Sequence, residues 1–152
     1  MFLVGGQGAV LVMFVLSSYC SAVQGAHCNV TGVWVNTLGS ILSLHAEGLH
    51  LSGSLRTSVE VSHGGAGDEM TGQLVGVLGR GTQATFTMSV RWSGGSVTAW
   101  VGQCFQTWKC PVLRTMWLLR SEATVEEDNW KATRIGEDLF YPQKTCHEHK
   151  LV

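Results

Sequence analysis

Between positions 30 and 141 the chain sets out eight β-rich runs, at 30–36, 41–46, 49–59, 70–78, 84–92, 97–105, 112–119 and 131–141. Apolar stretches of this length bounded by turn residues read as strands, because β-branched and aromatic side chains fit a pleated surface. Several interruptions are short, as at Ala46-Glu47-Gly48, Gly79-Arg80-Gly81 and Ser93-Gly94-Gly95, and a longer glycine-rich one contains His63-Gly64-Gly65-Ala66-Gly67. Such connections join antiparallel neighbours, since a parallel crossover needs a dozen residues or more. The expectation is an all-β fold, an eight-stranded antiparallel up-and-down β-barrel. Closure would remove the edges that an open sheet this apolar leaves exposed. A sandwich of similar strand count is the alternative. No linker, low-complexity tract or internal repeat divides the chain, so one domain is expected.

Residues two apart on a strand share a face, so alternation says what such a barrel would enclose. Asn36, Leu38 and Ser40 share one face; so do Ser96, Thr98 and Trp100, and so do Trp117, Leu119 and Ser121. Each set mixes amide, hydroxyl and large apolar groups. The opposite faces carry Val97, Ala99 and Val101 in one case and Met116 and Leu118 in another, as apolar as a core. A tryptophan in a β protein is ordinarily core filler, a strand-face serine is ordinarily solvated, and Asp138 would ordinarily be a turn carboxylate in water. The company of Trp92, Trp100 and Trp117 argues otherwise, because a filled core would surround them with Val, Ile and Leu. A barrel mixed inside and apolar outside is the inverse of a simple monomer. A ligand within and further copies of the chain without would satisfy both surfaces.

Ten Lys and Arg against eleven Asp and Glu leave a net charge of −1, which offers no footprint for nucleic acid or for an anionic membrane surface. The first full charge is Glu47. Residues 8–16 (GAVLVMFVL) are too few for a membrane span of about 20. They fit the core of a secretory signal, followed by small-residue exits at Cys20-Ser21-Ala22 or Val23-Gln24-Gly25. Residues 1–25 are therefore expected to be a signal peptide, with an uncleaved amphiphilic anchor as the alternative, and 26–152 a secreted barrel domain with a short C-terminal tail. Secretion turns thiols into bridges. With Cys20 removed, Cys28, Cys104, Cys110 and Cys146 allow three pairings, and one cysteine bridging two subunits is a further option. Asn29-Val30-Thr31 is an N-glycosylation sequon, which would mark that end as exposed.

Four strings carry a resemblance: CNVTGVWVNTLGS at 28–40, VTAWVGQCF at 97–105, RTMWLLRS at 114–121 and NWKATRIGEDLF at 129–140. Together they make the chain, from about 28 to 140, similar to the avidin and streptavidin family of biotin-binding proteins. The resemblance implies an eight-stranded barrel, a homotetramer, biotin as ligand and no cofactor. Carried over by matching position, Asn36 and Ser40 would donate to the ureido oxygen of biotin, and Thr57 and Asp138 would accept its two N–H groups. Thr98 would meet the thioether sulfur and Ser96 the carboxylate of the chain. Trp92, Trp100 and Trp117 would wall the ring and tail, with Leu38 and Leu119 adding apolar contact. Trp130 would be the lid a neighbouring subunit inserts, and Val61 and Ser62 would cover the tail. The conventional disulfide of the family corresponds to Cys28–Cys104.

Two departures stand out. The family places a tyrosine, the third donor to the ureido oxygen, where this chain has Leu55, and leucine cannot donate. The family pattern also lacks the pair Cys110 and Cys146, whose bridge would be internal or between subunits. An enzyme would need a nucleophile and a base, and none of the six histidines has a convincing partner. Cys146-His147-Glu148-His149 carries metal-ligand types, yet no fourth-ligand arrangement is evident and an exposed tail accounts for it. The expectation is thus a secreted, non-catalytic biotin binder. The alternative is a related barrel whose specificity is weakened, or shifted toward another small cyclic ligand.

Overall fold

The computed structural model describes residues 27–60 and 70–144. Its strands are β1 (Gly32–Asn36), β2 (Ile41–Glu47), β3 (His50–Arg56), β4 (Thr71–Leu78), β5 (Thr85–Arg91), β6 (Val97–Gln106), β7 (Pro111–Arg120) and β8 (Thr133–Pro142). Each pairs antiparallel with the next, and β1 pairs back onto β8 through Trp34↔Pro142, Val35↔Tyr141 and Asn36↔Phe140. The sheet is a closed eight-stranded barrel and not a sandwich. A 3-10 helix, Glu126–Lys131, fills the connection between β7 and β8, which is why the last strand begins later than its apolar run.

Two other boundaries differ from the apolar runs for local reasons. Val30 does not extend β1 but is buried in the core, its carbonyl accepting the Trp34 indole N–H at 2.9 Å. β3 stops at Arg56 because the chain turns next: the Thr57 hydroxyl donates to the Val59 carbonyl at 2.6 Å, and the Thr57 amide donates to the Met70 carbonyl across the connection at 2.8 Å.

The strands alternate as expected, burying one face and exposing the other, most cleanly in β5. Leu42, Leu44, Leu51, Leu74, Phe86, Met88, Leu113 and Phe140 form a dry plug inside the barrel. Covalent closure is added by the disulfide Cys28–Cys104, which ties the segment before β1 to fully buried Cys104 on β6. Cys110 is buried as well; Cys146, the 146–149 segment and the expected signal at 1–25 lie outside the described residues.

The outer surface is unusually apolar. Val75 and Val77 on β4, Val101 on β6, Met116 and Leu118 on β7 and Ile135 on β8 are all exposed, Ile135 at 72%. The registers Val77↔Thr87, Thr87↔Val101, Val101↔Met116 and Leu118↔Ile135 place them on one continuous stripe across five strands.

Candidate functional site

The connections β1–β2, β3–β4, β5–β6 and β7–β8 all leave the same end of the barrel, and there the interior opens into a cup of about 450 Å³. The plug of apolar side chains fills the barrel below it. Every connection at the open end contributes. Asn36, Leu38 and Ser40 come from the first; Leu55, Thr57, Val59 and Glu60 from the end of β3 and the connection after it; Trp92, Ser96, Thr98 and Trp100 from the third; Trp117, Leu119, Ser121 and Glu122 from the fourth. β8 supplies Asp138 and Phe140.

The floor is a pre-set polar network. Asn36 is buried, and its Oδ1 accepts the backbone N–H groups of Leu38 at 3.1 Å and Ser40 at 2.8 Å. Those two donors settle which end of the amide is oxygen. Its NH₂ is consequently turned to Asp138, donating to Oδ1 at 3.1 Å, which leaves its second N–H for another acceptor. Asp138 Oδ2 takes the indole N–H of Trp100 at 3.3 Å, and the Thr115 hydroxyl donates to the Asp138 backbone carbonyl at 3.0 Å. Burial pushes the Asp138 carboxyl above the usual carboxylate range, partly offset by the hydrogen bonds from Trp100 and Asn36.

Ser40 is held differently. Its Oγ accepts the Ser58 backbone N–H at 3.1 Å and lies 3.1 Å from the Ser58 hydroxyl, which itself donates to the Leu38 carbonyl at 2.5 Å. Because Ser58 has spent its proton on Leu38, the Ser40 hydroxyl is the donor of that pair, and its proton can turn to a better acceptor. On the wall, the Trp92 indole N–H donates to Thr98 Oγ1 at 2.9 Å, fixing the ring. Trp117 lies across Gly136, its register partner on β8: a Cβ there would strike the indole, so glycine is what lets the ring lie against the sheet.

The structure brings together twelve of the residues singled out from sequence: Asn36, Leu38, Ser40, Leu55, Thr57, Trp92, Ser96, Thr98, Trp100, Trp117, Leu119 and Asp138 all line the cup. Trp130 does not. It rides on the 3-10 helix with 80% of its surface exposed and no place in its own barrel. Val61 and Ser62 lie outside the described residues. Sequence reasoning missed Glu60, Glu122, Val59 and Gly94, which sit in connections where no alternation marks a direction; Phe140, two residues after Asp138 on the same face, could have been found.

A model of the avidin family matches residues 24–143. The chain belongs to the avidin family. It is 32% identical to avidin of Gallus gallus over 144 residues, 91% of this chain and 94% of the relative. Among solved structures, a biotin binding protein from chicken superimposes with a TM-score of 0.71 at 34% identity, covering 77% of this chain and 98% of the other. Xenavidin does so with a TM-score of 0.69 at 36% identity, covering 76% and 98%. As a member of the avidin family the protein is a binder and not an enzyme.

Proposed function

We propose that this chain is a secreted biotin-binding protein that holds its ligand in the cup and works as a homotetramer. The observation that carries the reading is the oriented pair at the floor, an Asn36 N–H available beside the Asp138 carboxylate. A cyclic urea presents one carbonyl oxygen flanked by two N–H groups. The Asn36 N–H and the Ser40 hydroxyl suit the oxygen, and Asp138 and Thr57 suit the N–H groups. An ionised Asp138 would favour charge separation in the urea, so that its oxygen accepts stronger hydrogen bonds. Trp92, Trp100 and Trp117 supply a dry wall for the fused ring, with Leu38 and Leu119 beside it, Thr98 for the sulfur and Ser96 for the chain terminus. Strength comes from preorganisation, because the network exists before the ligand arrives.

The exposed apolar stripe on β4–β8 supports self-association, and exposed Trp130 supports a lid shared between copies. The Cys28–Cys104 bridge supports an oxidising compartment, with residues 1–25 as signal, Asn29 as glycan acceptor and, in this reading, no cofactor. Val61 and Ser62 would cover the tail, and Cys110 with Cys146 would form a second bridge. Calorimetric titration of the secreted protein with biotin tests the function. One biotin per chain, with a raised thermal midpoint, is expected; no heat and no thermal shift would overturn it. Leu55, only 3% exposed in the cup wall, favours a second reading in which specificity is weakened or moved to another small cyclic ligand.

A further inference from the structure

The floor of the cup leaves the charged groups at its rim unused. Glu60, in the β3–β4 connection, and Glu122, just after β7, both line the cavity, and with Asp138 they make every charged lining residue among the described residues an acid. Neither forms an ion pair among the described residues. Of the cations at this end of the barrel, Arg134 shares the inward face of β8 with Asp138 and pairs in register with Leu119, yet it is exposed and does not line the cup. The others are turned elsewhere. Arg120 donates to the Thr133 hydroxyl at 3.1 Å and Lys131 pairs with Asp128 at 2.8 Å, while Arg56 and Arg91 close β3 and β5 on the exposed face. Glu122 leans over the β5–β6 turn, its Oε2 lying 3.2 Å from where a Cβ on Gly95 would sit. That places a carboxylate on the lip beside Ser96.

A ligand seated head-down on Asn36 and Asp138 sends its chain out past this rim. Free biotin ends there in a carboxylate, whereas biotin joined to an amine ends in a neutral amide. The Ser96 and Ser121 hydroxyls serve an amide as donor and as acceptor, but two rim carboxylates repel a third. We propose that Glu60 and Glu122 make this cup select biotin in amide-conjugated form, with a neutral or cationic tail, over the free acid; the inference rests on the cup being a biotin site. A carboxylate about 7 Å from an anionic tail in a water-like dielectric would cost it a factor of roughly 2.5, so two such groups would weaken the free acid about fivefold to tenfold.

The test measures dissociation constants by competition for three ligands: biotin, biotin amide and biotin coupled to ethylenediamine, which ends in an ammonium. The expected order of affinity is ammonium, amide, acid. The spread should shrink at high salt, where exposed charges are screened, and in the Glu60→Gln and Glu122→Gln double variant. Free biotin binding as tightly as its amide, or a spread that the double variant leaves intact, overturns the selection while the biotin site stands. Failure of all three ligands to bind removes the biotin reading and this inference with it.

Discussion

Asp138→Asn separates the contribution of charge at the floor of the cup from that of shape. The carboxylate already accepts from Asn36 at 3.1 Å and Trp100 at 3.3 Å, and a ureido N–H would be a further donor to it. A hydrogen bond to a charged acceptor contributes about 1.5–3 kcal/mol against about 0.5–1.5 for a neutral one. The variant should therefore lose about 1–1.5 kcal/mol, roughly fivefold to fifteenfold in affinity.

The pH dependence is the sharper readout. Burial raises the pKa of Asp138 in the ligand-free protein, so a proton competes with the ureido N–H at a higher pH than it would for an ordinary carboxylate. Wild-type affinity should fall as pH drops through that raised value, and the Asp138→Asn variant should stay flat. Stability of the ligand-free protein runs the other way. With the folded pKa above the unfolded one, the folded state binds more protons between them, so the contribution of Asp138 is largest below the unfolded value and is lost as pH rises to the folded one. Dissociation kinetics and thermal melts from acidic to neutral pH measure both slopes. An asparagine variant with the same acid sensitivity as wild type, or with unchanged affinity at neutral pH, would refute the role assigned to the charge.

Leu55→Tyr should slow biotin dissociation roughly tenfold to a hundredfold, by giving the ureido oxygen a third donor worth about 1–3 kcal/mol; an unchanged off-rate in a folded variant would show that the site already compensates. Trp130→Ala should raise the biotin off-rate at least about tenfold and weaken assembly with it, since a buried aromatic anchor is worth about 2 kcal/mol or more. Sedimentation showing a tightly binding wild-type monomer would sink that idea. Replacing both Cys28 and Cys104 by serine releases a loop closed over 76 residues, and should cost about 4 kcal/mol in denaturant melts.

Much of this molecule is legible in one dimension. The eight runs became the eight strands, and the period of two alone sorts Thr98 and Trp100 inward and Val97 and Val101 outward. Period two is a local property of the pleat, so sequence carries it. The resemblance named inward residues that the structure brings to the lining of one cup, down to Asp138 on the last strand. What sequence could not supply is who meets whom. Asn36 and Asp138 are 102 residues apart, and their contact exists because β1 closes onto β8. Ser58 constrains Ser40 only because the first and second connections at the open end lie side by side. Trp130, apolar and large, reads as core from its side chain alone, and only its position on a helix outside the barrel turns it outward. Glu60 and Glu122 share a rim for the same reason that they were missed. Connections have no repeating geometry, so where their side chains point is decided by the closure of the strands they join.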